Sequence, residues 1–138
     1  MNVKKYLSRA RFLKSQIKRT EERIETLRIQ MQSVGAIRYD KDRVQSSAGD
    51  PMIEYIEKLE DLQVREQELR IEYNYAYSQI RERIDGLEDP LFASVLSCRY
   101  LDEMQFWEIA DKLGYSVRYM ENVHGRALQA FAKMYDES

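Results

Sequence analysis

The feature that most restricts the fold of this chain is a row of apolar or small residues at alternating spacings of three and four over residues 3–34. This spacing draws one stripe along a helix, as in the seam of a coiled coil. The stripe consists of Val3, Tyr6, Ala10, Leu13, Ile17, Thr20, Ile24, Leu27, Met31 and Val34. The sequence therefore predicts a long helix that buries one side against a partner helix.

The same spacing returns after residue 50 and predicts a second helix of similar length. Its stripe consists of Met52, Tyr55, Leu59, Leu62, Leu69, Tyr73, Ala76, Ile80 and Leu87, with Glu66 and Arg83 at two further seam positions. Asp50 before Pro51 is typical of an N-cap followed by the first helical residue. Residues 35–50 begin with Gly35, which suits the end of a helix, and are predicted to form a loop.

Charge separates the two predicted helices. Residues 1–34 carry nine Lys and Arg residues and three acids, whereas residues 51–90 carry five and eleven. Because opposite charges attract along their length, the helices are predicted to pair as an antiparallel hairpin within one chain. Apolar residues left outside the seam predict a homodimer, and they are Leu7, Phe12, Ile29, Ile53, Ile56, Ile71 and Ile84.

Gly86 and the Asp89-Pro90 pair predict a break after the second helix. Three short helical patterns follow it, around Leu91 to Leu101, Phe106 to Leu113 and Met120 to Phe131. The predicted fold class is all-α. A long, coiled-coil-like antiparallel hairpin for oligomerisation occupies residues 1–88, and a C-terminal three-helix domain occupies residues 89–138.

The stretch WEIADKLGYSVRYMENVHGRAL, residues 107–128, meets the requirements of a helix-turn-helix. Two helices that cross closely need a small residue at the contact, and Ala110 supplies it. Gly114 suits the positive φ of the turn, and Ser116 suits the N-cap of the second helix through the amide of Tyr119. Met120 then points back into the core.

The run LSCRYLDEMQFWEIADKLGYSVRYMENVHGRAL resembles region 4 of the sigma-70 family, whose pattern is Arg-Tyr, Glu-Ile-Ala, Leu-Gly, Ser, an aliphatic residue and Arg-Ala-Leu. With the preceding hairpin and the loop string YDKDRVQSSAGDPM, it is similar to phage-encoded regulators of the RinA and ArpU type, found in phages and prophages of Gram-positive bacteria. The resemblance implies a phage transcriptional regulator, and it favours activation of transcription over repression. Its implied partners are double-stranded promoter DNA and host RNA polymerase.

The sigma pattern places base-facing and flanking positions at the start of the second helix of the motif. The candidate DNA-binding residues are Ser116, Val117, Arg118, Tyr119, Asn122 and Arg126. Helical geometry agrees with most of this set. If the apolar face of the helix is buried, most of the candidates lie on the opposite, outward face. The apolar face consists of Met120, Val123, Ala127 and Phe131. Arg suits guanine and Asn suits adenine in the major groove. Solvated surface residues remain the alternative interpretation.

Two features weaken the comparison with the family. Gln105 stands where the family usually has a capping Ser or Thr. Glu121 is acidic at a position where a basic side chain would help to bind phosphate. Residues 91–138 also carry five bases against seven acids. DNA affinity is then expected to depend on a dimer, on the basic face of the first helix, or on RNA polymerase.

No catalytic, cofactor-binding or metal-ligating pattern stands out, so the chain is not expected to be an enzyme. His124 and Cys98 are each the only residue of their type, which leaves a zinc site or a Cys-His pair without support. His124 is interpreted as a flank residue near phosphate, and Cys98 as a small buried group. Trp107 and the tyrosines 73, 75 and 77 are interpreted as core or interface residues.

The chain has no run of about 18 apolar residues, and a lone cysteine fits a reducing compartment, so a cytoplasmic protein without membrane contact is expected. Two other functions stay open. One is a DNA-packaging component resembling a small terminase subunit, which would form a ring. The other is a helical adaptor that contacts RNA polymerase and not DNA.

Overall fold

A computed structural model describes residues 1–40 and 50–135, with the backbone alone for residues 37–40. The described part is helical and contains no strand, which confirms the all-α class. The helices are α1 (Val3–Leu7), α2 (Arg9–Asp40), α3 (Pro51–Asp85), α4 (Pro90–Leu96), α5 (Phe106–Leu113) and α6 (Val117–Tyr135). A π-helical turn, Ser97–Leu101, continues α4.

Two predicted helix starts are confirmed by their capping bonds. The Asp50 carboxylate accepts the Met52 amide proton at 3.0 Å, and the Asp89 carboxylate accepts that of Leu91 at 2.9 Å. In each case a proline follows the cap, where its missing N–H costs no helical hydrogen bond. The local sequence thus fixes where α3 and α4 begin.

The predicted end of the first long helix at Gly35 is wrong, because α2 continues to Asp40. Among the described glycines, only Gly114 has the positive φ of a helix-ending glycine. A glycine inside a helix costs only about 1 kcal/mol relative to alanine, so packing can outweigh it. A Cβ at Gly35 would lie 3.9 Å from the Met52 methyl carbon, so α3 packs beside this turn. The rest of the predicted loop, residues 41–49, lies outside the described residues.

The described chain packs as two compact units. Residues 14–71 form one, called the central unit, and residues 1–13 with the chain from Glu72 on form the other, called the terminal unit. This division differs from the predicted domains 1–88 and 89–138. Its cause lies in the terminal unit, where the beginning of the chain and the end of α3 complete the core of α4 to α6.

Several contacts show how the terminal unit is joined. The Tyr6 ring lies 5.9 Å from the Phe131 ring, and the Tyr135 hydroxyl donates to the Arg83 carbonyl at 2.6 Å. A side chain at Gly86 would collide with the Tyr135 hydroxyl, so the glycine after α3 allows this close approach. The Arg83 guanidinium lies over the rings of Tyr6 and Tyr135, at 5.1 and 5.5 Å from their centroids. These cation–π contacts explain an arginine at a seam position.

Leu7 and Ile84 were predicted to lie outside the seam and to serve dimerisation, and this is wrong. Both are 0% exposed, because α1 and the end of α3 lie in the core of the terminal unit. The other members of that predicted set are exposed, and they are Phe12, Ile29, Ile53, Ile56 and Ile71.

In the central unit, the predicted seam of α2 is buried from Ile17 to Leu27, whereas Met31 and Val34 are partly buried. Its buried members are Ile17, Thr20, Ile24 and Leu27, which share the unit with the buried Leu69 of α3. Arg70 bonds Glu66 at 3.1 Å on its own helix and also pairs with Glu21 of α2. The polar Glu66 in the seam is therefore held by an arginine that joins the two helices.

Candidate nucleic-acid interface

Helices α5 and α6 are joined by the three residues 114–116, and the local sequence accounts for each end of this connection. Gly114 has φ 80°, in the left-handed region where a Cβ would be strained, and its amide donates to the Ala110 carbonyl at 2.9 Å. The Ser116 hydroxyl accepts the Tyr119 amide proton at 3.1 Å. The predicted turn glycine and N-cap serine are both confirmed.

The start of α5 is capped without the Ser or Thr that was missing from the sequence pattern. The backbone amide of Gln105 donates to the Glu108 carboxylate at 2.9 Å. A glutamate at this third helical position satisfies an amide that would otherwise lack a partner, and its negative charge suits the positive end of the helix. Gln105 is therefore compatible with a well-formed α5.

One apolar cluster holds the two helices together. It consists of Val95, Cys98, Ile109, Ala110, Met120 and Val123, all buried. Ala110 is 4% exposed, as predicted for the small residue between the helices. Burial raises the pKa of the Cys98 thiol, so this cysteine stays protonated and serves as a small core group.

Helix α6 has one buried and one exposed face. The predicted inward set, Met120, Val123, Ala127 and Phe131, is 0% exposed at every position. The candidate DNA-binding set, Ser116, Val117, Arg118, Tyr119, Asn122 and Arg126, is exposed at every position. The structure therefore brings all six candidates together on the solvent-facing side of the first three turns of α6.

The six candidates differ in how far they are already engaged. Ser116 caps the helix, the Tyr119 ring lies 5.1 Å from that of Tyr115, and the Arg126 guanidinium lies 5.6 Å from the Phe92 centroid. Within the described chain, no residue forms a hydrogen bond or an ion pair with Arg118 or Asn122. Those two side chains keep their full hydrogen-bonding capacity for a ligand.

His124 does not lie on the exposed flank where the sequence interpretation placed it. Its Nε2 is 2.8 Å from the Tyr100 hydroxyl, and its ring meets the edge of Phe106 at 5.1 Å. Burial lowers its pKa to about 4, and the positive charges of Lys4 and Arg99 act in the same direction. His124 is consequently a neutral, half-buried ring between α6 and the π-helical turn and not an exposed flank residue, whereas its proximity to phosphate stays a prediction.

Two exposed aromatic residues, Trp107 at the start of α5 and Tyr115 in the turn, were not among the sequence candidates. Trp107 is 62% exposed and Tyr115 is 46% exposed. Trp107 was interpreted as a core or interface residue; it is not in the core, and an interface role stays a prediction. Both follow from the sequence in retrospect, because Trp107 lies next to the inward Phe106 and Tyr115 lies within the turn. Tyr115 extends the exposed surface beside Tyr119, with its ring 5.1 Å away.

Other kinds of site find no support in the part of the chain that the structure describes. Its His, Cys, Asp and Glu residues form no group that could hold a metal ion. None of the described helices is long and apolar enough to cross a bilayer.

The fold and this surface define an all-helical protein in which a short helix, a tight turn and a longer helix present a polar face to solvent. The chain belongs to the family of proteins of unknown function DUF1492, which matches residues 45–130, more than half of its length. The matched range contains α3, α4 and α5 and most of α6. Neither the comparison with curated proteins nor the comparison with solved structures found a match.

Proposed function

We propose that this protein is a transcriptional regulator that binds double-stranded promoter DNA through a helix-turn-helix made of α5, the turn and α6. The observation that carries the proposal is the pair Arg118 and Asn122, exposed one turn apart on α6 and without partners among the described residues. The opposite face of α6 is fully buried, so the helix can present this pair to a groove without unfolding.

The chemistry of the pair suits base recognition. An arginine can donate two hydrogen bonds to guanine, and an asparagine can donate and accept with adenine, in the major groove. Residues four apart on a helix are separated by about 6 Å along its axis, which is near the rise of two base pairs. A Cβ at Gly125, the next residue along this face, would meet no heavy atom within 4 Å, so the α6 backbone is open to close approach there.

The resemblance to sigma region 4 and to the RinA and ArpU regulators supports the more specific part of the proposal. The protein acts in a phage or prophage, as an activator in the host cytoplasm, and can contact RNA polymerase while bound to DNA. Helices α2 and α3 form the antiparallel hairpin that joins two copies. Two contacts within the central unit support the antiparallel arrangement: Glu21 pairs with Arg70, and Gly35 lies beside Met52. Residue numbers increase along α2 from the first contact to the second and decrease along α3.

A helical adaptor that binds RNA polymerase without DNA is the second candidate. Exposed Trp107 at the start of α5 and exposed Tyr115 in the turn favour it, because Trp and Tyr are residue types enriched at the centres of protein interfaces.

The variants Arg118→Ala and Asn122→Ala are expected to weaken specific DNA binding by about 1–3 kcal/mol each, because each removes a base contact. The probe is duplex DNA enriched by the wild-type protein from a mixed-sequence library, measured in a gel shift at fixed salt. Arg23→Ala and Asn74→Ala are matched controls, since they remove the same side chains from exposed positions on α2 and α3. If the α6 variants bind the enriched duplex as tightly as the controls do, the DNA proposal fails and the adaptor takes its place.

The proposed homodimer is expected to sediment at about twice the chain mass of 16.5 kDa at micromolar concentration. Ile71, which is 70% exposed in the central unit, is the most accessible apolar residue of the remaining dimerisation set. Ile71→Glu is expected to shift the protein to the monomer, because a buried unpaired carboxylate opposes association. A wild-type monomer would contradict the dimer, and a ring of eight or more copies would favour DNA packaging.

A further inference from the structure

The amino-terminal segment, residues 1–13, packs directly on the helix proposed to read DNA. Leu7 of this segment is 0% exposed, and the Tyr6 ring contacts the Phe131 ring of α6 at 5.9 Å. Arg83 of α3 lies over the same Tyr6 ring at 5.1 Å. Contacts to both α3 and α6 hold the segment in the terminal unit.

This segment changes the charge of the unit to which it belongs. Residues 72–138 carry twelve acidic residues and seven Lys and Arg residues, whereas residues 1–13 carry four Lys and Arg residues and no acidic one. The acidic balance of the C-terminal sequence is thus nearly offset once the amino-terminal segment joins it, which leaves eleven basic residues against twelve acidic ones. A unit that is close to neutral as a whole is better suited to a polyanion than the acidic C-terminal helices alone.

Two of the four basic residues are available to a ligand. Arg9 is 3.6 Å from the Glu72 carboxylate and Arg11 is half-buried, but Lys4 and Lys5 are exposed. In the described residues no side chain pairs with either lysine. Lys4 lies two residues before Tyr6, whose ring contacts Phe131 of α6, and its charge helps to lower the pKa of His124 on the same helix.

We propose that Lys4 and Lys5 bind phosphates of the same DNA duplex whose bases α6 reads. This inference rests on the proposed function. The major groove is only about 12 Å wide and is bordered by phosphates on both sides, so a helix inside it has phosphates beside it as well as bases in front. The segment contacts α6 through Phe131, and we expect its exposed lysines to reach one of these borders. There they supply affinity that α6 itself, with Glu121 in its second turn, lacks.

The test compares the full-length wild type with the double variant Lys4→Gln and Lys5→Gln on a mixed-sequence duplex. Binding is followed by fluorescence anisotropy over a range of salt concentrations. Each phosphate contact contributes about 0.9 to the slope of log K against log salt, so the variant is expected to lower the slope by nearly two units. The matched control, Lys18→Gln with Arg19→Gln, removes the same charge from exposed positions of α2 in the central unit and is expected to leave the slope unchanged.

An unchanged slope in the Lys4 and Lys5 variant would overturn the inference while leaving the proposed function intact, provided that the wild type binds. An equal fall in both variants would overturn it too, because the effect would then follow net charge and not position. Absence of salt-dependent duplex binding by the wild type would overturn both the inference and the proposed function. Circular dichroism of all three proteins confirms that exposed lysine and arginine substitutions leave the helices formed.

Discussion

Replacing Phe131 by alanine is expected to lower the free energy of unfolding by about 3–5 kcal/mol, the range for removing a fully buried phenylalanine. Phe131 is 0% exposed, and its ring lies 5.9 Å from that of Tyr6 and 4.7 Å from that of Tyr135. The substitution leaves a cavity where α6 meets the beginning of the chain. Urea denaturation followed by circular dichroism measures the loss. Phe12→Ala is the matched control, because Phe12 is 58% exposed and its removal is expected to cost well under 1 kcal/mol.

The same variant distinguishes the observed units from the predicted domains. If residues 1–88 folded independently of residues 89–138, hydrogen exchange in α1 would not respond to a cavity at Phe131. In the observed packing, Tyr6 loses its aromatic neighbour, and the amides of α1 are expected to exchange faster. Unchanged protection of α1 in a destabilised Phe131→Ala protein would contradict the packing of the amino-terminal segment on α6.

Acidification is expected to destabilise the terminal unit through His124. Its pKa of about 4 in the folded chain lies below the usual 6.5, so between these values the unfolded chain binds a proton that the folded chain excludes. The contribution of neutral His124 is therefore complete above pH 6.5 and is lost as the pH falls towards 4. At about 1.4 kcal/mol for each pH unit, the loss between pH 6.5 and pH 5 is about 2 kcal/mol.

The measurement is urea denaturation at pH 7 and pH 5. His124→Gln keeps a polar group near the Tyr100 hydroxyl but removes the titration. The variant is expected to lose about 2 kcal/mol less than the wild type on acidification. Equal losses in the two proteins would show that His124 does not exclude the proton.

Much of the candidate interface could be predicted because it depends on short-range rules. The period of the helix assigned Met120, Val123, Ala127 and Phe131 to the buried face, and the exposed face followed from the same period. Gly114 and Ser116 were predictable because a left-handed turn and an N-cap each select a few residue types. None of these assignments requires knowledge of any other helix.

His124 and Gly35 could not be predicted by the same rules. A histidine two residues from exposed Asn122 has no local signal for burial. Its ring is covered by Tyr100 and Phe106, which come from other segments of the chain. Gly35 carries the local signal of a helix end, but α2 continues beside Met52 of α3. In both cases contacts from outside the local segment outweighed the local preference.

The sequence by itself determined that the chain is helical, where α3 and α4 begin, and which face of each helix is apolar, since these depend on periodicity and capping within a few turns. Only the tertiary structure decided which segments share a core. The basic residues 1–13 were assigned to a hairpin domain by their position in the chain, yet Tyr6 and Leu7 are packed in the terminal unit with α6. The physical reason is that Leu7 and Ile84 place apolar side chains outside the predicted seams of their helices. Removing an apolar side chain from water is favourable whether the segment that covers it is near or distant in sequence.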